Sequence, residues 1–86
     1  VMNSFTDRVR AIVHDIPKGS TMSYREVAAL AGNEKAARAV ANIMAANYDL
    51  TIPCHRVIRS DGGLGGYNRG GIKAKAALLK AERQTA

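Results

Sequence analysis

The sequence predicts a small, mainly α-helical domain with a helix-turn-helix unit of the winged type and a short strand that leads into a loop. Two observations predict this class. Several segments carry apolar residues at helical spacing, and the pair Gly32-Asn33 separates two of these segments. The chain has 86 residues, of which 47% are apolar, so we expect one domain with one small core over residues 1–86.

The first predicted helix runs from Phe5 to Val13 and presents its apolar residues on one face. Ser4 is a suitable N-cap, and Asp7 places a negative charge in the first turn, where it interacts favourably with the helix dipole. After this helix, Pro17-Lys18-Gly19 predicts a turn.

The second predicted helix begins at a capping box. The hydroxyl of Ser23 can accept from the amide of Glu26, and the carboxylate of Glu26 can reach back to the amide of Ser23. Gly32-Asn33 ends the helix. Its predicted buried residues are Val27, Ala28, Leu30 and Ala31.

A third helix is predicted from about Glu34 to Ala46, because this segment is rich in alanine, the strongest helix former. Its apolar stripe consists of Ala36, Val40, Ile43 and Met44. Its exposed face offers Lys35, Arg38 and Asn42. In a helix-turn-helix unit the second helix usually meets DNA, so Arg38 is a candidate probe of the duplex. An ordinary helical hairpin with a solvated basic face is the alternative.

The remaining chain predicts a strand, a loop and a last helix. Leu50-Thr51-Ile52 predicts a short buried strand. The loop Asp61–Gly71 holds six of the eight glycines together with Leu64 and Tyr67, so we expect it to wrap closely round a flat ligand rather than to serve as a flexible linker. A helix is predicted from about Ile72 to Arg83. Its predicted packing residues are Ile72, Ala76, Leu78 and Leu79.

Charge and composition narrow the class of partner. The net charge of +6 and the pI near 10 favour a polyanion, nucleic acid before an anionic membrane surface. No apolar run approaches the about 20 residues that span a bilayer, so no membrane segment is expected. A single cysteine cannot form an internal disulfide, which fits a reducing cytoplasm.

Cys54, the only cysteine, is followed directly by His55. A thiolate is the nucleophilic form of cysteine, and a nearby histidine raises its population. Adjacent residues of an extended chain point to opposite faces, so a bridging water or a bend after Pro53 has to connect the two. Such a histidine needs an orienting partner, and any of the seven acidic residues is a candidate; one of them, Glu82, ends the last helix, which could fold back over the loop. A buried, unreactive thiol is the alternative, and no metal site is expected from one cysteine and two histidines.

The segment Ile52-Pro53-Cys54-His55-Arg56-Val57-Ile58 resembles the active-site signature of the O6-alkylguanine-DNA alkyltransferases, also called methylated-DNA–protein-cysteine methyltransferases. The resemblance covers nearly the whole chain, from about Phe5 to Glu82, and includes the helix-turn-helix and the glycine-rich loop. It implies a stoichiometric repair reaction without a cofactor. The protein would bind duplex DNA through the minor groove, flip the damaged guanine into a pocket and keep the alkyl group on a cysteine.

The resemblance also implies roles for single residues. The nucleophile falls on Cys54, the water-linked base on His55 and the carboxylate that orients it on Glu82. The asparagine that shapes the bend before the active site falls on Asn47. Tyr24 would promote rotation of the nucleotide. Arg38 would enter the base stack in place of the flipped base. Further DNA contacts would fall on Thr6, Arg25, Asn33 and Ser60.

The substrate pocket is implied to be lined by Val57, Tyr67, Asn68 and Arg69, with the backbone of Cys54 and Val57 reading the guanine edge. The family usually carries an N-terminal α/β domain, which this sequence lacks. We expect a monomer, open to repair-protein partners, in the cytoplasm and associated with the nucleoid, or in the nucleus of a eukaryote.

The single-domain layout also resembles the alkyltransferase-like proteins, which bind alkylguanine without repairing it and flag it for other repair factors. Those proteins carry tryptophan at the nucleophile position, where this chain has Cys54, so the residue favours transfer over flagging. A third hypothesis is a transcription-type helix-turn-helix protein with a structural cysteine.

Overall fold

The computed structural model describes residues 4–85, which form four α-helices and a parallel sheet of two short strands. In chain order the elements are α1 (Phe5–His14), β1 (Met22–Ser23), α2 (Tyr24–Leu30), α3 (Ala37–Ala45), a 3₁₀-helix (Cys54–Arg56), β2 (Val57–Ile58) and α4 (Gly71–Thr85). The predicted mainly α-helical class is confirmed. Over residues 4–85, no helix combines the length and the apolar character that a membrane crossing requires.

Helix α1 forms as its sequence predicts. The hydroxyl of Ser4 accepts from the amide of Asp7 at 3.0 Å and caps the helix. Val9 and Val13 are fully buried on the face that meets α2 and α3. The predicted turn follows, closed by a bond from the amide of Ser20 to the carbonyl of Pro17 at 3.0 Å.

Helix α2 begins at the predicted capping box. Ser23 Oγ accepts from the amide of Glu26 at 3.0 Å, and Glu26 Oε1 accepts from the amide of Ser23 at 3.1 Å. The helix ends at Leu30, and Gly32, two residues later, has a φ of 104°, a left-handed conformation that favours glycine. Leu30 was predicted to be buried and is 65% exposed, because it borders an open surface groove while Ala31 takes the buried position.

Helix α3 begins three residues later than predicted, at Ala37 instead of Glu34. Asn33 causes the delay, because its Oδ1 accepts from the amide of Lys35 at 3.2 Å and its carbonyl accepts from the amide of Ala36 at 3.0 Å. These bonds hold a turn where the sequence predicted a first helical turn. The apolar stripe is as predicted, with Val40 and Met44 buried and Ala36 and Ile43 packed against the core.

The prediction of a strand at residues 50–52 is wrong. The carboxylate of Asp49 accepts from the amide and the hydroxyl of Thr51 at 2.9 and 2.7 Å, which makes a turn, and Leu50 is 83% exposed. The two strands are instead β1 and β2, paired with Met22 opposite Val57. This pairing brings the start of α2 beside the segment that follows Cys54.

Helix α4 packs differently from the prediction. Leu79 is buried as predicted, whereas Ile72, Ala76 and Leu78 are exposed. Their place is taken by Lys75, which is fully buried one turn before Leu79. The helix therefore contacts the domain along a narrow stripe that includes a charged residue.

Candidate functional site

Cys54 is the first residue of the 3₁₀-helix and directly follows Pro53. It is a free cysteine with 4% of its surface exposed, and it packs with the hydrophobic core. It also lines a cavity of about 410 Å³. Cys54 is therefore shielded from bulk water but accessible to a ligand that fills this cavity.

The cavity beside Cys54 lies between the start of α2, the second half of α3 and the glycine-rich loop. Tyr24 comes from α2, Met44 from α3 and Tyr67 from the loop. The other lining residues are Ala41, Asn42, Ala45, Gly66 and Asn68. A volume of this size is typical of sites for small organic ligands.

Glu82, on α4, receives hydrogen bonds from two side chains of the 3₁₀-helix. Its Oε2 lies 2.8 Å from Nε2 of His55 and 2.8 Å from Nη2 of Arg56, and its Oε1 accepts from Nε of Arg56 at 3.0 Å. The bonds from Arg56, with a smaller contribution from His55, lower the pKa of Glu82 to about 2. The carboxylate is thus an acceptor at neutral pH, so Nε2 of His55 is the donor and Nδ1 of the neutral ring can accept a proton.

The structure brings the predicted pair His55 and Glu82 together, and their catalytic roles stay predictions. Sequence reasoning missed Arg56, which also donates from Nη1 to the carbonyl of Ile16 at 2.8 Å and so anchors the pair to the segment after α1. The ring of His55 meets the ring of Tyr67 edge-on, with 6.3 Å between centroids. Tyr67 also lines the cavity that Cys54 lines, so its ring contacts both the histidine and the cavity.

Asn47 is fully buried at the bend after α3. Its Oδ1 accepts from the amide of Asp49 at 3.3 Å, and its Nδ2 donates to the carbonyl of Asp49 at 3.4 Å. The backbone carbonyl of Asn47 accepts from Nδ2 of Asn68 at 2.7 Å. The side chain thus shapes the bend itself, while its backbone joins the bend to the glycine-rich loop.

The predicted pocket residues divide into two groups. Tyr67 and Asn68 line the Cys54 cavity, whereas Val57 and Arg69 do not. Val57 is fully buried in β2, and its carbonyl accepts from Lys75. Arg69 lines a different cavity, of about 340 Å³, together with His14 and His55. The residue before it, Asn68, uses its amide to hold the loop against the end of α3.

The predicted DNA contacts collect at a second cavity, of about 400 Å³, that shares Tyr24, Ala41 and Gly66 with the first. Four of the predicted residues line it: Tyr24, Arg25, Arg38 and Ser60. Arg59, which sequence reasoning did not select, also lines it and forms an ion pair with Asp61 at 2.6 Å. Three arginines therefore surround an opening next to the Cys54 cavity, which suits a phosphate backbone.

Thr6 and Asn33 line neither of these two cavities. Thr6 is exposed in the first turn of α1, and Asn33 is exposed in the turn between α2 and α3. The structure leaves both accessible to a large ligand such as a duplex, and their predicted contacts stay predictions.

Lys75 is a third residue that sequence reasoning missed. It is fully buried, and its Nζ donates to the carbonyl of Val57 at 2.7 Å and to that of Leu64 at 2.5 Å. Burial lowers the pKa of Lys75 to about 8. Apolar periodicity could not have identified it, because a lysine at this position of a helix normally signals an exposed face.

The part of the chain that the structure describes contains no group of three or more His, Cys, Asp and Glu side chains placed to hold a metal ion. The site contains one thiol, a histidine with its carboxylate, two tyrosines and a buried amine. These groups support nucleophilic attack and proton transfer.

Residues 4–84 match the family model of the DNA-binding domain of 6-O-methylguanine DNA methyltransferase. The chain is 53% identical over 76 residues to a methylated-DNA–protein-cysteine methyltransferase of Methanothermobacter thermautotrophicus, a match that covers 87% of this chain and 42% of the relative. It is 50% identical over 82 residues to a Mus musculus protein of the same name, covering 93% of this chain and 39% of that protein. The chain spans about two fifths of the length of these curated relatives.

Two solved structures are similar in fold. Mycobacterium tuberculosis OGT in complex with DNA superposes with a TM-score of 0.88 at 44% identity, covering 98% of this chain and 51% of that one. Schizosaccharomyces pombe Atl1, in complex with damaged DNA that contains O6-carboxymethylguanine, superposes with a TM-score of 0.81 at 28% identity, covering 95% of this chain and 78% of that one. Both similarities extend over the elements that build the Cys54 cavity.

Proposed function

Because the chain belongs to the family of 6-O-methylguanine DNA methyltransferase DNA-binding domains, we propose that it repairs O6-alkylguanine in duplex DNA by transferring the alkyl group to Cys54. The observation that carries this proposal is the position of Cys54, buried but bordering a cavity of about 410 Å³ beside an opening lined by arginines. Each chain acts once, since a thioether formed on Cys54 is not reversed.

The alkylated guanine has to leave the DNA duplex before it can react. A base inside the duplex hides its O6 substituent, so the guanine must be flipped out, at a cost of a few kcal/mol. In our proposal the duplex approaches with its minor groove, and Arg38 on α3 fills the vacated place in the stack. Arg25 and Ser60 contact the phosphates near the opening, while Thr6 and Asn33 contact the flanking backbone.

The transfer is a displacement at the alkyl carbon. The Cys54 thiol gives its proton to His55, through a water, and Nδ1 of His55 accepts it because Glu82 holds Nε2 as the donor. The sulfur forms a bond to the alkyl carbon as the bond from that carbon to O6 breaks. The electron pair stays with the guanine, which leaves as an anion and must be neutralised by a proton donor.

Tyr24 is the donor that the geometry supports. It lines both the Cys54 cavity and the adjoining basic cavity, so its hydroxyl lies on the path of a flipped base. Burial and the negative charge of Cys54 raise the pKa of Tyr24, which keeps its hydroxyl protonated. A protonated phenol can donate to the purine as negative charge develops there.

A second candidate function is recognition of alkylguanine without transfer. The similarity in fold to Atl1, whose structure holds damaged DNA that contains O6-carboxymethylguanine, favours it. In that case Cys54 would line the cavity without reacting, and the protein would mark the lesion for other repair factors.

Intact mass measurement separates the two functions. The protein is incubated with a duplex that contains one O6-methylguanine, and with the same duplex unmodified as the control. Transfer predicts that the chain gains the mass of one methyl group only with the methylated duplex. The Cys54→Ser variant should bind that duplex and gain nothing. Tight binding of the methylated duplex without any gain in mass would overturn the transfer proposal in favour of recognition.

A further inference from the structure

Lys75 lies in the middle of α4 with no exposed surface. Its Nζ donates to the carbonyls of Val57 and Leu64 at 2.7 and 2.5 Å and lies 3.3 Å from the carbonyl of Gly66. The hydroxyl of Tyr24 is at 3.4 Å. All four acceptors are neutral, although a buried ammonium normally requires a negative partner. The ammonium of Lys75 is therefore stabilised by neutral dipoles, and its positive charge is not neutralised by any of these four groups.

Two of the groups that Lys75 contacts place its amine near Cys54: the carbonyl of Val57, three residues further along the chain, and the hydroxyl of Tyr24, which lines the Cys54 cavity. Burial lowers the pKa of Lys75 to about 8, and the charge of Cys54 opposes that shift. The titratable side chains around Cys54 are Tyr24 from α2, Tyr67 from the loop, Lys75 from α4 and the neighbouring His55. The carboxylate of Glu82 is the partner of His55. In contrast, the groups that Lys75 contacts are three carbonyls and one hydroxyl, and none of them is a carboxylate.

Lys75 also holds the walls of the cavity. Its bonds join β2, through Val57, to the glycine-rich loop, through Leu64 and Gly66. Its ammonium lies 5.6 Å from the ring centroid of Tyr24, and a Cβ added at Gly65 would meet the hydroxyl of Tyr24 at 2.8 Å. The loop thus packs tightly against Tyr24, and the amine fastens both.

We propose that Lys75 is a positioning residue for Cys54, whose buried ammonium fastens Tyr24 and the glycine-rich loop around the cavity and supplies the positive charge that favours the thiolate. The importance of this role for DNA repair rests on the function inferred above, in which Cys54 is the nucleophile. The proposal concerns the thiol itself, so it can be tested without DNA or alkylguanine. A lysine that only fills space would leave the reactivity of the thiol unchanged.

The test measures the rate at which iodoacetamide alkylates Cys54 as a function of pH, in the wild type and in Lys75→Met. Methionine keeps the length of the side chain and removes the charge. We expect the midpoint of the pH–rate profile to move up by about one pH unit in the variant, with a roughly tenfold slower reaction at neutral pH. Lys75→Arg, which keeps the charge, should retain the wild-type midpoint.

Lys73→Met is the matched control, because Lys73 is exposed on the same helix. Circular dichroism spectra of all variants show whether each is folded under the conditions of the assay. A Lys75→Met profile that superposes on those of the wild type and the control would overturn the proposal.

A reciprocal measurement keeps the proposal testable if Lys75→Met does not fold. Coupling between two groups is mutual, so removing the thiolate must change the titration of the amine. In Cys54→Ser, ¹³Cε NMR should show Lys75 titrating at a lower pH than in the wild type. An unchanged titration would overturn the proposal. If methyl transfer fails while both shifts are seen, the function inferred above is wrong and the role of Lys75 stands.

Discussion

His55 and Glu82 are 27 residues apart in the chain, yet Nε2 of His55 lies 2.8 Å from Oε2 of Glu82. Both side chains are nearly buried, with 12% and 13% of their surface exposed. Arg56 holds the carboxylate from its other side through two bonds. A carboxylate that stays ionised at neutral pH favours the imidazole tautomer with its proton on Nε2, and in that tautomer Nδ1 is an acceptor.

Glu82→Gln should remove a contribution to stability that depends on pH in a defined direction. The pKa of Glu82 falls from an ordinary 4.5 to about 2 on folding. The carboxylate therefore stabilises the fold fully above the ordinary value, and this contribution is lost as the pH falls through about 2. The difference corresponds to roughly 3 kcal/mol at neutral pH.

Urea unfolding of the wild type and of Glu82→Gln across the acid range measures this contribution. The two free energies of unfolding should converge as the pH approaches about 2. Glu34→Gln, at an exposed position in the turn before α3, should follow the wild type throughout. A gap between wild type and Glu82→Gln that does not narrow in acid would show that the carboxylate has no such role.

Arg38→Ala tests whether this arginine replaces the flipped base. Arg38 is exposed on α3 and lines the basic cavity beside Tyr24. Without it, the flipped state of a duplex loses its support, whereas a free base needs no flipping. We expect methyl transfer from duplex DNA to slow by about tenfold or more, and transfer from free O6-methylguanine to change by less than about twofold.

Single-turnover rates with both substrates measure the effect of Arg38→Ala. Arg83→Ala, in the last turn of α4, is the matched control and should leave both rates unchanged. Equal slowing with duplex and free base would refute a role in flipping and point to a role in the cavity instead.

Asn68→Ala should loosen the joint between α3 and the glycine-rich loop. Nδ2 of Asn68 donates to the carbonyls of Ala45 and Asn47 at 2.8 and 2.7 Å. Removing the donor leaves these carbonyls without that bond, at a cost of about 1–3 kcal/mol in the free energy of unfolding. Because the amide joins two walls of the cavity, its loss should let the cavity widen and admit a larger alkyl group. We therefore also expect the rate with O6-benzylguanine to rise relative to the rate with O6-methylguanine.

Urea unfolding and the ratio of the two transfer rates measure the role of Asn68. Asn42→Ala is the comparison, because Asn42 lines the same cavity but is exposed on α3. If the two alanine variants lose equal stability and show equal rate ratios, Asn68 is not the joint that the structure indicates.

Local patterns predicted most of the helical framework, because their signals lie within a few residues of each other. The Ser23–Glu26 capping box and the Ser4 cap are bonds between residues three apart, and both form as predicted. The prediction of a strand at residues 50–52 is wrong because a local signal of another kind, a turn, was overlooked. The short bonds from Thr51 to Asp49 outweigh the apolar character of the segment.

The parts of the site that escaped prediction depend on contacts between distant residues. Arg56 meets the carbonyl of Ile16, 40 residues away, and Lys75 meets the hydroxyl of Tyr24, 51 residues away. Such partners become neighbours only through the parallel pairing of β1 with β2 and the packing of α4. The pairing of His55 with Glu82 was implied by the family resemblance, and only the fold gives its distance.

The most direct measurement of the central claim is the stoichiometry of transfer when methylated duplex is in large excess. The quantity recorded is the number of methyl groups bound per chain over time, with peptide mapping to locate them. The account predicts a rapid rise to a plateau of one methyl group, located on Cys54, with no further turnover. A plateau at zero despite binding, or methylation at any other residue, would contradict it.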